Sequence, residues 1–402
     1  MAGSRKKEHL ILYKVLFTLG ILVAYFVGRS LPLYGIDTSV YADKVLNTEE
    51  LLRQTISGDI YRCSLLALGI SPYMIASILV QILSAFRGSE AKARTSPKKK
   101  ANLVLLLMFV FAVLLSFSQV QELTFLPAGT YELLAAKVIA GIEMVVGAVL
   151  MIWLSSRNKK YGIGGQSALI FINVVDGIIN TVKGNSFKEL VIPFLVAFMA
   201  VVVMLILENT EKHIPVQRIS IHNIYADKNY LAIKMNPIGV MPAMFSMAFF
   251  MIPQLLVSLA LFLLPNQPEL LWLEDNLVLN KPFGIIVYVM VLYLLTVGFS
   301  RVFINPGELT EQFLKSGDSI QNIHAGKDTK KYLSRTVTGM ALFSATMMSV
   351  CLGFPLLLKM LGNISETMAA LPTSAMILTG LVCNLAREVM AIRNLEAYKP
   401  FL

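Results

Sequence analysis

Apolar residues along this chain come in long runs rather than with the two- or four-residue period of a half-buried element. A helix needs roughly 20 residues to cross the hydrocarbon of a bilayer. Stretches of that order recur near 10–28, 63–86, 102–119, 133–154 and 166–183, and again near 189–207, 238–264, 283–303, 337–357 and 372–391. The pattern predicts an all-α membrane protein of ten spanning helices. Three connections are too long to be turns, at 29–62, 208–236 and 304–336, and long loops in compact proteins usually carry function. Within 214–235, apolar and polar residues alternate on either side of Ala226, Asp227 and Lys228, which predicts a β-hairpin.

Charge gives each predicted helix a direction. Arg5, Lys6 and Lys7 precede the first run; Arg87, Lys92, Arg94 and Lys98–Lys100 fill the second connection; Arg157, Lys159 and Lys160 lie in the fourth. By contrast 120–132 holds no Lys or Arg, and 265–282 has Lys281 against Glu269, Glu274 and Asp275. The positive-inside rule then puts both termini and the even connections in the cytoplasm, with the spans crossing the cytoplasmic membrane. Ten spans with both ends inside divide into an N-terminal half, 1–186, and a C-terminal half, 187–402, running in opposite directions as an inverted repeat does. The first run is read as an uncleaved span, because no small-residue cleavage site follows it.

Composition narrows the functional classes. Of 402 residues 56% are hydrophobic and 15% charged, more apolar surface than one soluble core hides. The net charge of +10 sits in clusters between spans, so topology explains it and no nucleic-acid partner is expected. Cys63, Cys351 and Cys383 lie singly in or beside apolar runs, and His9, His213, His222 and His324 lie outside them. Neither set forms a disulfide framework, a metal site or a cofactor site. No zinc-protease, nucleophile-elbow or Walker motif is present, so the chain does not read as an enzyme. Glu143 and Asp176 fall inside predicted spans, with Lys137 near an end, which leaves an ion-coupled secondary transporter as a rival from another class.

Seven motifs, in order, go further. Leu68–Leu83 (LGISPYMIASILVQIL) and Tyr161–Phe171 (YGIGGQSALIF) open spans two and five. Ile214–Arg218 (IPVQR), Asn236–Phe245 (NPIGVMPAMF), Asn305–Leu309 (NPGEL), Tyr332–Arg335 (YLSR) and Thr373–Ile377 (TSAMI) follow. In sequence, and in position relative to the spans, they resemble those of SecY, the channel subunit of the Sec protein translocase, along essentially the whole chain.

The resemblance implies a passive channel for unfolded preprotein, narrowed halfway across by apolar side chains of spans two, five, seven and ten. Matched motif by motif, that ring is Met74, Ile78, Ile170, Val174, Met241, Met244 and Ile377. Span five carries one residue fewer than the family between its glycines and Ile170. A ring of flexible, uncharged side chains closes around any chain and dewets the gap. The resemblance also implies that 29–62 is a plug with a short helix at 47–56, carrying Asn47, Glu50, Leu51, Leu52 and Ile56. Asn47 or Thr48 would cap that helix, with Glu49 and Glu50 in its first turn. A lateral gate is implied between spans two, three, seven and eight, where Pro72, Gly239 and Pro242 permit bending. The two cytoplasmic loops would dock a motor ATPase through Arg218, Lys228, Lys234, His324, Lys327, Lys330 and Arg335, and a small SecE-like membrane subunit would clamp the halves.

Some residues depart from the housekeeping pattern. Ile323–Gly326 (IHAG) stands where SecY usually has Arg-Pro-Gly, and His324 cannot reproduce a guanidinium fork. Gly164–Gln166 reads Gly-Gly-Gln for Gly-Asn-Gly, and the tail after span ten is short. These departures resemble the accessory SecY paralogue of streptococci and staphylococci. That implies an accessory SecA-type motor, accessory secretion proteins and serine-rich glycoprotein adhesins as cargo, with general secretion by a housekeeping SecY as the alternative.

Overall fold

The computed structural model describes residues 2–37, 40, 48, 50–52, 63–86, 96–126, 130–183, 187–218, 229–264, 267–362, 364, 365 and 367–395. Seven helices come first: α1 (Ala2–Ser30), α2 (Ser71–Phe86), α3 (Pro97–Glu122), α4 (Thr130–Tyr161), α5 (Gln166–Lys183), α6 (Phe187–Asn209) and α7 (Met241–Leu263). They are followed by α8 (Pro268–Asn276), α9 (Pro282–Ile304), α10 (Pro306–Ser316), α11 (Lys327–Met360) and α12 (Leu371–Leu395). Among the described residues eight helices are long and apolar enough to cross a membrane: α1, α3, α4, α6, α7, α9, α11 and α12. The other two predicted spans, α2 and α5, form shorter apolar helices.

The structure moves several predicted boundaries. Span two becomes helical at Ser71 rather than at 63, because residues 64–70 turn through Gly69 at φ +54° and Pro72 then fits the first helical turn. The connection 304–336 is mostly ordered: α10 fills its first part, and α11 starts ten residues before the predicted 337, at Lys327. The connection 265–282 contains α8. At α3, Pro97 occupies the first turn and the Ser96 hydroxyl accepts from Lys99 N at 3.3 Å, which fixes where that helix begins.

In the hairpin, β1 (Glu211–Arg218) pairs antiparallel with β2 (Tyr230–Lys234) in the register Ile214↔Leu231, and its tip lies outside the described residues. A third strand, β3 (Asp318–Ile320), pairs antiparallel with β1 along Val216↔Ile320. The sheet packs Ile214, Ile233 and Ile320 onto Leu333, Val337 and Met340 of α11 in a small core of its own. One end of the bundle therefore carries the sheet, α10 and the start of α11. The opposite end carries α8 and the described residues of 29–62.

Position in the bundle separates the helices. Most of the apolar stretch of α12 is buried and little of that of α1, so α12 is central and α1 peripheral. Phe194, Leu195, Phe198 and Met199 of α6 face outward, as lipid-facing residues do. Where α4 crosses the approach to α2, a Cβ on Gly147 would stand 1.8 Å from the Leu65 carbonyl oxygen. Gly147→Ala must push that backbone aside, and a stability loss of about 2 kcal/mol is expected. Thermal unfolding in detergent reads it, and an unchanged midpoint would contradict this close approach.

Candidate pore

A continuous apolar core runs through the bundle, and α2, α5, α7 and α12 all contribute to it. Met74, Ile170, Val174, Met244 and Ile377 all belong to it, none more than 6% exposed. Two other ring candidates lie apart from these five. Ile78, one turn beyond Met74, packs instead with Ile238, Leu295 and Phe299 in a separate cluster. Met241 is the first residue of α7 and is 40% exposed. Both are displaced toward the sheet end.

The turns that set these helices are tightly held. Before α5 the chain turns through Gly164 and Gly165, both at positive φ. Asn158, fully buried, donates to the carbonyls of Ile163 and Gly165 at 3.0 Å, and its Oδ1 lies 2.9 Å from the Thr18 hydroxyl of α1. Gly164 N donates to Glu388 Oε2 of α12 at 3.1 Å. Before α7, Asn236 donates to the Gly239 carbonyl at 2.8 Å. Gly239, at φ +67°, leaves room for the Glu208 carboxylate, whose Oε1 would stand 2.4 Å from a Cβ there. The glycines of these two motifs, with Asn158 and Asn236, thus aim α5 and α7 into the core.

Charges inside the predicted spans have partners. Asp176 of α5 pairs with Arg29 of α1 at 2.5 Å, beside a 2.5 Å bond from the Tyr25 hydroxyl to Asn173 Oδ1. Glu143 of α4 accepts from Tyr34 N at 2.9 Å. These carboxylates tie helices and loops together, which is structural work that a transporter's coupling site would not need. Another pair has no motif to announce it: Glu208, 1% exposed at the end of α6, is bound by Arg387 of α12. Lys359 has none either.

Of the plug candidates, Glu50, Leu51 and Leu52 are helical, and so is Thr48; Asn47 and Ile56 lie outside the described residues. Thr48, Leu51 and Leu52 share one helical face by their spacing, and all three are buried, the leucines in the same core as Met74 and Ile377. Thr48 Oγ1 receives a 2.9 Å hydrogen bond from Lys359 Nζ, which also donates to Asn280 Oδ1. Glu50 lines a cavity of about 270 Å³ with Leu115 and Gln119 of α3 and Met251 and Gln254 of α7. That cavity lies between α3 and α7, closed on one side by Glu274 of α8 and Asn280, within the seam where α2 and α3 face α7 and α9. Phe117 meets Phe262 edge-on at 5.3 Å across the seam, and Phe245 of α7 meets Phe299 of α9 at 6.2 Å beside it.

The residues proposed to meet a motor gather at the sheet end. Lys234 ends β2 opposite Glu211. His324 is exposed, with its carbonyl accepting from Thr329 Oγ1 at 2.9 Å. Lys327, Lys330 and Arg335 are exposed too, on the opening turns of α11 rather than in a loop. Arg218 ends β1, with nothing described of its side chain, and Lys228 lies outside the described residues.

Comparison with known proteins places this architecture. Residues 64–386 match the SecY family model, and the chain belongs to the SecY family. It is 30% identical to the accessory Sec system protein translocase subunit SecY2 of Leuconostoc gelidum subsp. gasicomitatum, over 97% of this chain and 96% of that one. Its fold matches a solved protein-conducting channel with TM-score 0.68 at 18% identity, covering 96% of this chain and 93% of the other. It also matches a SecY structure, TM-score 0.62 at 17% identity over the same shares, whose plug domain is described as stabilising the closed state and maintaining a membrane seal.

Proposed function

We propose that this chain is the channel subunit of an accessory protein-export translocase and passes unfolded polypeptide across the cytoplasmic membrane. One observation carries the reading: in a SecY-family chain, the uncharged ring candidates Met74, Ile170, Val174, Met244 and Ile377 of α2, α5, α7 and α12 are buried in one core, with Leu51 and Leu52 of 29–62 packed into it. Flexible apolar groups, two of them methionines, suit a seal that must open for any sequence and exclude water when shut. The likeness to an accessory relative and the IHAG departure favour accessory over general secretion. Serine-rich glycoprotein adhesins are the cargo class this reading expects.

The rest of the machine follows from the same reading. Lys159 and Lys160 end α4, and Lys327 and Lys330 open α11, so basic residues collect at the sheet end; that end faces the cytoplasm by the positive-inside rule. The motor ATPase docks there on Lys234, His324, Lys327, Lys330 and Arg335, with Arg218 and Lys228 as the further contacts this reading expects. Residues 1–186 and 187–402 are the two halves, the seam of α2 and α3 against α7 and α9 is the lateral gate, and a SecE-like helix clamps the pair.

The test uses single cysteines at Met74, Ile170 and Met244 in a background lacking Cys63, Cys351 and Cys383, with an export substrate stalled in transit. Crosslinks to the substrate are expected from all three. Labelling of these positions by lipid-soluble reagents alone would overturn the pore reading.

A further inference from the structure

Among the described residues, the plug side of the molecule holds a cation, Lys359, whose role neither topology nor the ring explains. Lys359 sits in the last turn of α11, where a cation complements the helix C-terminus. Surface placement would serve that purpose equally well. Instead its ammonium is half-buried and, among the described residues, reaches inward to Thr48 Oγ1 of the segment 29–62, at 2.9 Å, and to Asn280 Oδ1 in the turn between α8 and α9. Thr48 is fully buried, so its hydroxyl depends on partners inside the protein.

We infer that Lys359 is the positioning residue that latches the plug shut, with Asn280 fixing the direction of its ammonium. The inference rests on the plug reading above. Its geometry fits a release mechanism. Thr48 lies on the same helical face as Leu51 and Leu52, whose side chains enter the core shared with Met74 and Ile377. Holding Thr48 therefore holds those leucines in the seal. Thr48 belongs to the proposed N-terminal half, while Lys359 and Asn280 belong to the C-terminal half. Any opening that parts the halves must stretch this contact. The hydrogen bond from a charged donor strengthens in a low-dielectric site, yet both side chains recover full hydration once water enters. A latch of this chemistry is tight when dry and cheap to break when wet.

The test measures resting ion leak of the full-length protein in vesicles of phosphatidylethanolamine and phosphatidylglycerol, read by a trapped chloride-quenched dye. Lys359→Met keeps the stem and removes the donor, and the leak is expected to rise about tenfold to a hundredfold, the equivalent of losing one charged hydrogen bond. Lys359→Arg should stay near the parent. Thr48→Val should leak as well, and the double variant should leak no more than Lys359→Met alone. Asn280→Ala gives a second, milder route to the same leak should Lys359→Met fail to fold. A parent-like leak in Lys359→Met, with deletion of 48–52 leaking freely, overturns the latch and leaves the plug standing. A tight deletion variant overturns the plug reading itself, and the latch with it.

Discussion

Arg387→Ala is expected to lower the stability of this protein by about 3 kcal/mol, the low end of the cost of stripping one partner from a buried ion pair. Arg387 Nη1 holds Glu208 Oε2 at 2.6 Å and Nη2 holds the Glu208 carbonyl at the same distance. One guanidinium thus neutralises a carboxylate that is 1% exposed and also caps an orphan carbonyl in the last turn of α6. The arginine itself keeps 35% of its side-chain surface exposed, which is why the low end applies. The other carboxylate oxygen, Oε1, is pressed against Gly239 and meets no donor among the described residues. Removing Arg387 would strand the whole charge beside the turn that opens α7. Thermal unfolding in detergent reads the loss. Glu208→Gln placed in the Arg387→Ala background should recover part of it, because no charge is then left buried. A single variant within about 0.5 kcal/mol of the parent, the size of an ordinary surface change, would mean that water already reaches Glu208.

Much of this fold is legible in the sequence because the bilayer imposes a length on every apolar run. Eight of the ten predicted spans are long apolar helices, and Lys159 and Lys160 stand in the last turn of α4, where the pattern of charges expects them. The misreadings have local causes. The apolar run 63–86 looks like one helix, but hydropathy is blind to a positive φ at Gly69, and the chain turns there before α2 starts. Three-residue β3 is too short to show a period, and its partner β1 lies a hundred residues earlier. Asp176 and Glu143 were visible as charges within spans, but their partners, Arg29 and the Tyr34 amide, are far away in sequence. Lys359 reads as a boundary charge at the end of a span, and nothing in its neighbourhood announces Thr48. Motif matching finds which residues line up with a family but carries no depth along the helix, so it ranked Ile78 and Met241 with Met74 and Met244.

Depth is what the last prediction uses. Met74→Lys is expected to raise the resting leak of the channel by at least a hundredfold, whereas Met241→Lys should leave it within a fewfold of the parent. Met74 is fully buried among apolar side chains of the core to which α2, α5, α7 and α12 contribute. A new ammonium there is stripped of water, and an uncompensated buried charge costs at least about 3 kcal/mol. The protein can avoid that cost by admitting water around the charge, which opens the seal. Met241, 40% exposed at the start of α7, already meets solvent, so a lysine there needs no rearrangement. Ile78 supplies the intermediate case, since it is buried, but among Ile238, Leu295 and Phe299 at the seam. A lysine at 78 should therefore weaken packing between α2 and α9, lowering the unfolding midpoint more than it raises ion leak. Measured together in vesicles and in detergent, the three variants separate the seal from its surroundings. Equal leak from positions 74 and 241 would show that the constriction lies nearer the sheet end than the buried core does.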